Sequence, residues 1–409
     1  MIKKKKPELL SPAGNAEKMR AAFLYGADAV YLAGNRFGMR SAADNFTVEE
    51  LYEAVSFAHA RGKKIYLTVN TMPHEDEFAP LAEYLTDIRR AGIDAMIVAD
   101  LGVMALIKKI IPDMEIHIST QAGIVSSAAA KAYVELGAQR VVLARELNLD
   151  EIRAIREKLP ESVEIETFIH GSMCVSYSGR CMLSHHLTGR DGNRGACTQP
   201  CRWNYHLIEE KRPDTPIPIE ENDLGTFIMS SKDMNTIRIL PELVAAGIDS
   251  FKIEGRMKSA YYTAVVTNAY RMALDRYFAD PDTYVFNEDW NKELESVSHR
   301  EYATGYYQNL PFNEAQLCST VGYIRDKAYF AVAVGEERDG LARFRQKNKI
   351  KLGDIAEILT PGKVGLRFRV EELRGEDGEP IESAPHPSQI FYCRVPFEVH
   401  EGDILRSGE

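Results

Sequence analysis

Gly26-Ala-Asp-Ala-Val-Tyr-Leu32 joins a glycine to a mostly apolar run, and this arrangement recurs three times further along the chain. The later copies are Gly92-Ile-Asp-Ala-Met-Ile-Val98, Gly137-Ala-Gln-Arg-Val-Val-Leu143 and Gly247-Ile-Asp-Ser-Phe-Lys-Ile253. Glycine tolerates the left-handed conformation in which helices end, so each copy is typical of a turn from a helix into a strand. Repeated βα units predict an α/β fold, a (β/α)8 TIM-type barrel. An open doubly wound sheet is the alternative.

The first 280 residues contain nine short apolar runs that predict strands, one more than a closed barrel needs. The runs are Leu9 to Ser11, Ala29 to Ala33, Lys64 to Val69, Ala95 to Ala99, Glu115 to Ser119, Arg140 to Ala144, Val163 to Ile169, Phe227 to Ser230 and Ser250 to Ile253. We expect Phe227 to Ser230 to lie outside the barrel or to cap it. Helical runs with 3.6-residue apolar spacing separate the strands, and Thr47 with Glu50 predicts a capping box at one of them.

The chain divides into three predicted regions. Residues 1–280 form the barrel, with a cysteine-rich insertion at 172–226, part of which carries too many prolines for a regular helix. Residues 281–318 form a partly helical connector. Residues 319–409 contain short strands separated by turn residues, which predicts a small C-terminal all-β barrel or sandwich.

The composition excludes some classes of protein. A formal net charge of −10 over 409 residues argues against a globally basic nucleic-acid binder, although a local basic patch is compatible with it. The amino terminus lacks the apolar stretch of a signal peptide, and no window approaches the roughly 18 apolar residues that span a bilayer. We therefore expect a cytoplasmic protein with no membrane association. In a reducing compartment, clustered cysteines favour a metal site or redox-active thiols.

Four of the six cysteines lie close together in the sequence. Cys174, Cys181, Cys197 and Cys201 are separated by six, fifteen and three residues, and the first follows a predicted strand. Thiolates are the soft ligands that zinc and iron–sulfur clusters prefer, and this spacing fits either. A third interpretation is that some of these cysteines are buried apolar residues.

A nucleophilic cysteine is another interpretation. His170 lies four residues before Cys174, so a Cys–His pair is conceivable, but that pair leaves three nearby cysteines unexplained. The His-Glu-x-x-His and Gly-x-Ser-x-Gly hydrolase motifs do not occur in the sequence. Cys318 and Cys393, far from the group, are interpreted as core residues.

Polar residues gather at the predicted carboxyl ends of strands, which meet at one mouth of a barrel. Arg145, Lys252 and Arg256 are candidates for binding a small dianion, because arginine offers a two-pronged donor to carboxylates. For each cation, an ion pair with Glu146 or Glu254 is an equally good interpretation. His170 and Glu254 are the candidate catalytic residues.

The cysteine segment is also basic and aromatic, which suits single-stranded RNA as well as an ordinary solvated loop. The residues are Arg180, His185, His186, Arg190, Arg194, Arg202, Trp203, Tyr205, Lys211 and Arg212.

The motif Glu166-x-Phe168-x2-Gly171-Ser-Met-Cys174-x4-Gly179-x-Cys181-x-Leu183-Ser184 resembles the signature of the collagenase-like peptidases, the peptidase U-32 family. Further matches cover nearly the whole chain. They are Leu10-Ser-Pro-Ala-Gly-Asn15, Gly189-Arg-Asp-Gly-Asn-Arg-Gly195, Cys197-x3-Cys201-Arg-Trp203, Ser231-Lys-Asp233 and Lys252-Ile-Glu-Gly-Arg-Met-Lys258.

Within that family, the cysteine pattern and the C-terminal β domain are most similar to the branch that takes part in tRNA hydroxylation. The resemblance implies a [4Fe–4S] cluster on Cys174, Cys181, Cys197 and Cys201. It also implies oxygen-independent, prephenate-dependent conversion of wobble uridine in tRNA to 5-hydroxyuridine. A shorter paralogous subunit is a conceivable partner. The alternatives are a collagenase-like peptidase of unassigned catalytic type, a quinone-biosynthesis hydroxylation protein and a non-catalytic RNA-binding subunit.

Overall fold

The computed structural model describes residues 5–39, 44–174, 176–203, 231–308, 323–324, 327–335 and 337–408, and the backbone of 207–209 and 212–217. The chain divides into two compact units. The first comprises Met1–Met19, Ala27–Lys258 and His299–Tyr323, and the second comprises Arg20–Gly26, Ser259–Ser298 and Ile324–Glu409.

Strands and helices alternate through most of the first unit. Its strands are β1 (Glu8–Pro12), β2 (Ala29–Ala33), β3 (Lys64–Val69), β4 (Ala95–Val98), β5 (Glu115–Ile118), β6 (Arg140–Val142), β7 (Glu164–Ser172), β8 (Leu207–Glu209), β9 (Arg212–Ile217), β10 (Asp233–Asn235), β11 (Ser250–Ile253) and β12 (Tyr302–Ala303). The helices of the chain are α1 (Ala16–Leu24), α2 (Val48–His59), α3 (Phe78–Ile88), α4 (Leu101–Ile110), α5 (Ser127–Glu135), α6 (Leu149–Lys158), α7 (Leu183–Thr188), α8 (Leu240–Ala245), α9 (Ala260–Ala279) and α10 (Glu288–Glu295).

Eight of the strands close into a parallel barrel. Strands β1 to β7 pair in sequence order, and β11 pairs with both β1 and β7. This confirms the predicted TIM-type barrel and eight of the nine predicted strands; Phe227 to Ser230 lies outside the described residues. No sequence pattern indicated β10, which runs antiparallel to β7, or β12, which pairs with β10.

Local signals explain where these elements begin and end. All four repeated glycines, Gly26, Gly92, Gly137 and Gly247, have positive φ angles, as the helix-to-strand turns require. Thr47 accepts from the backbone N–H of Glu50, whose side chain accepts from that of Thr47, which completes the predicted capping box of α2.

The second unit is built on an antiparallel sheet. Its strands are β13 (Tyr329–Ala333), β14 (Ala342–Gln346), β15 (Ile350–Lys351), β16 (Ile355–Leu359), β17 (Leu366–Arg369), β18 (Leu373–Gly375), β19 (Ser383–Ala384), β20 (Ile390–Cys393) and β21 (Ile404–Ser407). Seven of them form one sheet in the order β17-β16-β21-β13-β14-β20-β18. The predicted all-β character of this region is confirmed. Cys393 is fully buried in its core, while Cys318 lies outside the described residues.

Helix α9, of 20 residues, and helix α10, of eight, belong to this second unit, so the predicted barrel boundary at residue 280 differs from the division in the structure. The reason is local packing. Tyr261 on α9 stacks on Tyr329 with ring centroids 5.5 Å apart. The guanidinium of Arg406, buried in the unit, contacts Glu293 on α10 at 2.7 Å and Glu357 at 2.8 Å.

One glycine of the barrel combines a positive φ with a close backbone approach. Gly171, near the end of β7, has φ 105°. A Cβ placed on it lies 2.4 Å from the carbonyl oxygen of Glu254, which follows β11. Such a distance is far inside van der Waals contact, so only glycine allows these two strand ends to meet.

We expect Gly171→Ala to destabilise the protein by several kcal/mol, because the new methyl group adds a backbone clash to the cost of a left-handed residue. The measurement is the free energy of unfolding in urea. Gly62→Ala is the matched control, because Gly62 has φ 64° and a Cβ added to it would meet no atom within 4 Å. This control should lose about 1–2 kcal/mol. Equal losses would show that the Glu254 carbonyl imposes no constraint.

Candidate active site

A cavity of about 120 Å³ opens at the carboxyl ends of the barrel strands. The three cations singled out from the sequence, Arg145, Lys252 and Arg256, all line it, together with Glu254. The remaining lining residues are Tyr31, Met39, Thr68, Asn70, Ile97, Ser119, Thr120, Gln121 and Phe168. The structure therefore brings together the strand-end residues that the barrel topology placed at one mouth.

Lys252 is neutralised by a partner that the sequence did not indicate. Its ammonium lies 2.7 Å from Glu166, whose side chain is fully buried. Arg140 approaches the same carboxylate at 2.9 Å and also contacts Glu8 at 2.7 Å and Glu164. Burial alone would raise the pKa of Glu166, but the charges of Lys252 and Arg140 outweigh it and lower the pKa to about 2.

The two arginines are held differently. Arg145 donates to the Ser172 carbonyl at 2.8 Å and lies 3.9 Å from the ring centroid of Phe168. Arg256, buried, donates from Nη1 to the Thr68 hydroxyl at 3.0 Å. Both guanidinium groups line the cavity, so a bound anion would meet positive charge there.

His170, by contrast, is a residue of strand β7 whose ring packs against Tyr302, with ring centroids 5.3 Å apart. It is buried, and its Nε2 lies 3.4 Å from the Tyr302 hydroxyl. Burial lowers the pKa of His170 to about 3, with Asp233 opposing this shift, so the imidazole is neutral at physiological pH. His170 does not occur among the described residues that line the cavity at the barrel mouth. Of the two catalytic candidates, Glu254 alone reaches this cavity.

All four clustered cysteines line a second cavity, of about 150 Å³. We call it the cysteine cavity. It adjoins the barrel mouth, because Met39, Thr120, Gln121 and Arg145 line both. Cys174 is exposed and the other three cysteines are partly buried. The cysteine group and the three cations thus belong to one continuous region at the mouth.

The cysteine segment is fixed to the loops that follow β5 and β6. Glu146 accepts from the backbone N–H of Ser178 at 2.8 Å. Gly179 lies against the Gln121 backbone, where a Cβ would be 2.2 Å from the carbonyl oxygen. Within the segment, Asn193 donates to the Cys181 carbonyl at 3.0 Å. The structural role of Glu146 is therefore to hold the segment.

A buried charge pair supports the backbone just before Cys174. The carbonyl of Met173 accepts from the Ser231 hydroxyl at 2.7 Å and from Arg300 at 3.4 Å. Arg300 in turn contacts Asp233 at 2.6 Å, with both side chains 3% exposed. Ser231 and Asp233 lie in a motif noted in the sequence, but no sequence signal pointed to Arg300, which lies 127 residues beyond Met173.

The four thiols line one cavity. Within the described part of the chain, no group of three or more His, Cys, Asp or Glu side chains is placed to hold a single metal ion. Burial raises the pKa of Cys201, Arg202 lowers it, and the other three cysteines raise it.

Aromatic and basic side chains surround the cysteines, as the sequence suggested. Tyr177 and Trp203 are each 44% exposed. Arg202 donates to the Tyr323 hydroxyl at 2.7 Å. Tyr205, Lys211 and the side chain of Arg212 lie outside the described residues. Among the described helices, none has the length and apolar surface needed to cross a membrane.

A TIM-type barrel with four cysteines at its mouth and a C-terminal β domain defines a recognisable class of protein. The chain belongs to peptidase family U32: the model of that family matches residues 14–317, and the model of the U32 C-terminal domain matches residues 325–406.

Three relatives with different names illustrate the range of the family. The tRNA hydroxylation protein P1 of Bacillus subtilis (strain 168) is 39% identical over 99% of this chain and 96% of its own length. A collagenase of Porphyromonas gingivalis is 33% identical over 90% of each chain. The 23S rRNA 5-hydroxycytidine C2501 synthase of Escherichia coli (strain K12) is 44% identical over 66% of this chain but only 39% of its own. Hydroxylation of RNA is thus the activity named for two of these three relatives.

Replacing Glu166 tests the charge network. We expect Glu166→Gln to lose roughly 3–5 kcal/mol of unfolding free energy at pH 7, because two buried cations lose their shared counter-charge. Since the folded-state pKa of Glu166 is lowered, its stabilisation is full above the unfolded pKa and is lost as the pH falls through the folded one. Urea unfolding should therefore show the gap between the two proteins narrowing from about pH 5 towards pH 2.

Glu157→Gln, at an exposed position on α6, is the control and should unfold like the parent. A gap for Glu166→Gln that stays constant at acidic pH would contradict the assigned charge state.

Proposed function

We propose that this protein is a cytoplasmic tRNA-modifying protein that takes part in the prephenate-dependent, oxygen-independent hydroxylation of wobble uridine to 5-hydroxyuridine. The observation that carries the proposal is the continuity of the cysteine cavity with a cationic barrel mouth. The near-full-length similarity to a tRNA hydroxylation protein supports the choice of tRNA over other RNAs.

Cys174, Cys181, Cys197 and Cys201 are the residues that would hold a [4Fe–4S] cluster. A single zinc ion would need all its sulfurs at about 2.3 Å from one point, whereas a four-iron cluster is wider and binds one thiolate at each corner. Four thiols that line one cavity would supply one thiolate for each iron of such a cluster. When bound, such a cluster would supply one-electron chemistry at the barrel mouth.

Arg145 and Arg256 are the residues that we propose to bind prephenate. This molecule carries two carboxylates, and two guanidinium groups lining one cavity provide two planar donors for them. Lys252 contributes less to binding, because Glu166 already neutralises it. Its buried ion pair instead fixes the floor of the cavity. The arginines therefore determine where the acid lies relative to the cysteines.

The uridine would approach from the exposed side of the cysteine segment. Tyr177 and Trp203 present aromatic surface there, and an unstacked base can be held on such rings. Arg180 and Arg202 flank them and provide charge for the phosphate backbone. Glu254, in the barrel-mouth cavity, is the carboxylate positioned to accept a proton there.

The family name and the collagenase relative suggest the alternative of a peptidase. A thiol peptidase needs a histidine beside its nucleophile. His170 is buried, neutral and absent from the lining of the cysteine cavity, so the Cys174–His170 pair lacks the geometry for that role. The site therefore favours RNA hydroxylation over peptide hydrolysis. A quinone-biosynthesis function or a non-catalytic RNA-binding role would be distinguished by the phenotype of a deletion strain.

Substitution of the cysteines tests the cofactor. Each of Cys174→Ser, Cys181→Ser, Cys197→Ser and Cys201→Ser should abolish the brown colour, iron and sulfide of anaerobically purified protein, because every corner of the cluster needs its thiolate. Cys393→Ala is the control and should keep the parent's iron content, since this thiol is buried in the second unit. One bound zinc in a colourless parent protein would refute the cluster.

The nucleosides of cellular tRNA test the function. We expect a deletion strain to lose 5-hydroxyuridine by mass spectrometry, and the parent gene but not its Cys174→Ser variant to restore it. Restoration by this chain alone in a strain that lacks its paralogues would exclude a required second subunit. Unchanged tRNA together with loss of quinone, or with loss of a cysteine-dependent gelatin-cleaving activity, would replace the proposal with the corresponding alternative.

A further inference from the structure

A third depression, larger than the two cavities at the mouth, lies beside the cysteine segment in the first unit. Its volume is about 690 Å³, which is in the range of sites that bind small molecules or nucleotides. We call it the lateral groove. Its lining includes Arg36, Phe37, Asn45, Glu77, Arg190 and Arg194.

The lateral groove and the cysteine cavity share one wall. Gly192, Asn193 and Cys197 line the cysteine cavity, whereas Asp191 and Arg194 line the groove. The wall is a single short turn, Gly192–Arg194. A ligand in the groove therefore lies next to the cysteines without entering their cavity.

The charges that remain available in the groove are positive. Its two carboxylates already have partners within the protein. Glu77 contacts Arg194 at 2.6 Å and accepts from the backbone N–H of His74, and Asp191 accepts from the backbone N–H of Asn193 at 2.8 Å. Arg36 and Arg190 are exposed, and neither forms an ion pair with another described residue. Two arginines are thus available for anionic groups, on a chain whose net charge is −10.

Two residues of the groove have unusual backbone conformations. Phe37 has φ 60° and Asn45 has φ 55°, in the left-handed region. Asparagine adopts this conformation fairly often, but a bulky aromatic residue does so rarely, and such strain concentrates at binding sites. The carbonyl of Phe37 accepts from the Thr71 hydroxyl at 3.1 Å, which helps to hold the loop. The strained conformation keeps an aromatic ring, only partly buried, at the edge of the groove.

We propose that the lateral groove binds the stretch of RNA next to the nucleotide that is modified. One neighbouring base stacks on Phe37, and Arg36 and Arg190 bind the adjoining phosphates. The groove is lined by an aromatic ring and by two arginines, of which Arg36 lies 5.2 Å from the Phe37 ring centroid. Rings and cations together are what single-stranded RNA binds, whereas a peptide gains little from two available cations. This inference rests on the proposed function and identifies where the flanking part of its substrate lies.

Binding of deacylated tRNA, taken from the deletion strain, to the anaerobically purified full chain tests the inference. We expect Arg36→Ala/Arg190→Ala to lower the affinity at least tenfold near physiological salt. The slope of log affinity against log salt should fall by about 1.4, because two phosphate contacts to a single strand are lost. The control is Lys131→Ala/Lys158→Ala, which removes two exposed cations from α5 and α6 and should leave both quantities unchanged.

A second pair of variants separates stacking from packing. Phe37→Leu keeps an apolar side chain but lacks a flat ring, so it should weaken tRNA binding about tenfold. Phe37→Tyr keeps the ring and should bind like the parent. Urea unfolding of each variant confirms that the fold is retained.

Parent-like tRNA binding by the arginine variant and by Phe37→Leu would overturn the groove as an RNA site. Gelatin-peptide binding that Phe37→Leu abolishes, with tRNA binding unchanged, would assign the groove to peptides. Weakened tRNA binding in a protein whose deletion leaves 5-hydroxyuridine intact would keep the groove and reject the proposed function. If deletion removes 5-hydroxyuridine but the groove variants bind tRNA like the parent, the proposed function is kept and the groove is rejected as an RNA site. A parent protein that binds no tRNA would overturn both.

Discussion

The barrel mouth depends on the ion pairs that the buried carboxylate of Glu166 forms with Lys252 and Arg140. This carboxylate receives Lys252 from β11 and Arg140 from β6, while Arg140 also reaches Glu8 on β1 and Glu164 on β7. These strands meet where the barrel closes. Burying the Glu166 carboxylate costs free energy unless its cationic partners are in place. Closure of the barrel brings these partners to it, so the charges are compensated only when the barrel closes correctly.

The ion pair between Glu166 and Lys252 gives Lys252 a different role from the two arginines at the mouth. Lys252 pairs with the buried Glu166, whereas Arg145 donates to the Ser172 carbonyl and Arg256 donates to the Thr68 hydroxyl. The Asp233–Arg300 pair has a comparable role for the backbone that precedes Cys174. Two buried charge pairs thus stabilise the site.

Much of the fold follows from local sequence signals. The four glycine turns and the apolar runs between them predicted the eight strands, because backbone sterics and the pattern of burial act over a few residues. The convergence of Arg145, Lys252 and Arg256 followed from barrel topology alone. Long-range pairing could not be predicted in this way. Lys252 contacts Glu166 rather than Glu254, which is much closer to it in the sequence. Arg300 contacts Asp233, which is too far away in the sequence for a local pattern to indicate the pair. The left-handed backbone conformation of Phe37 likewise depends on tertiary contacts, so it could not be predicted from the sequence.

The contacts that fix the cysteine segment have a consequence for how the protein matures. Three of these contacts, Glu146 with Ser178, Gly179 with Gln121, and Asn193 with the Cys181 carbonyl, involve backbone, oxygen or nitrogen atoms and no sulfur. The scaffold around the thiols can therefore form before any inorganic group is delivered. For the proposed cluster, chain folding would come first and loading second, and the exposed Cys174 is the thiol that a donor would reach in the folded protein.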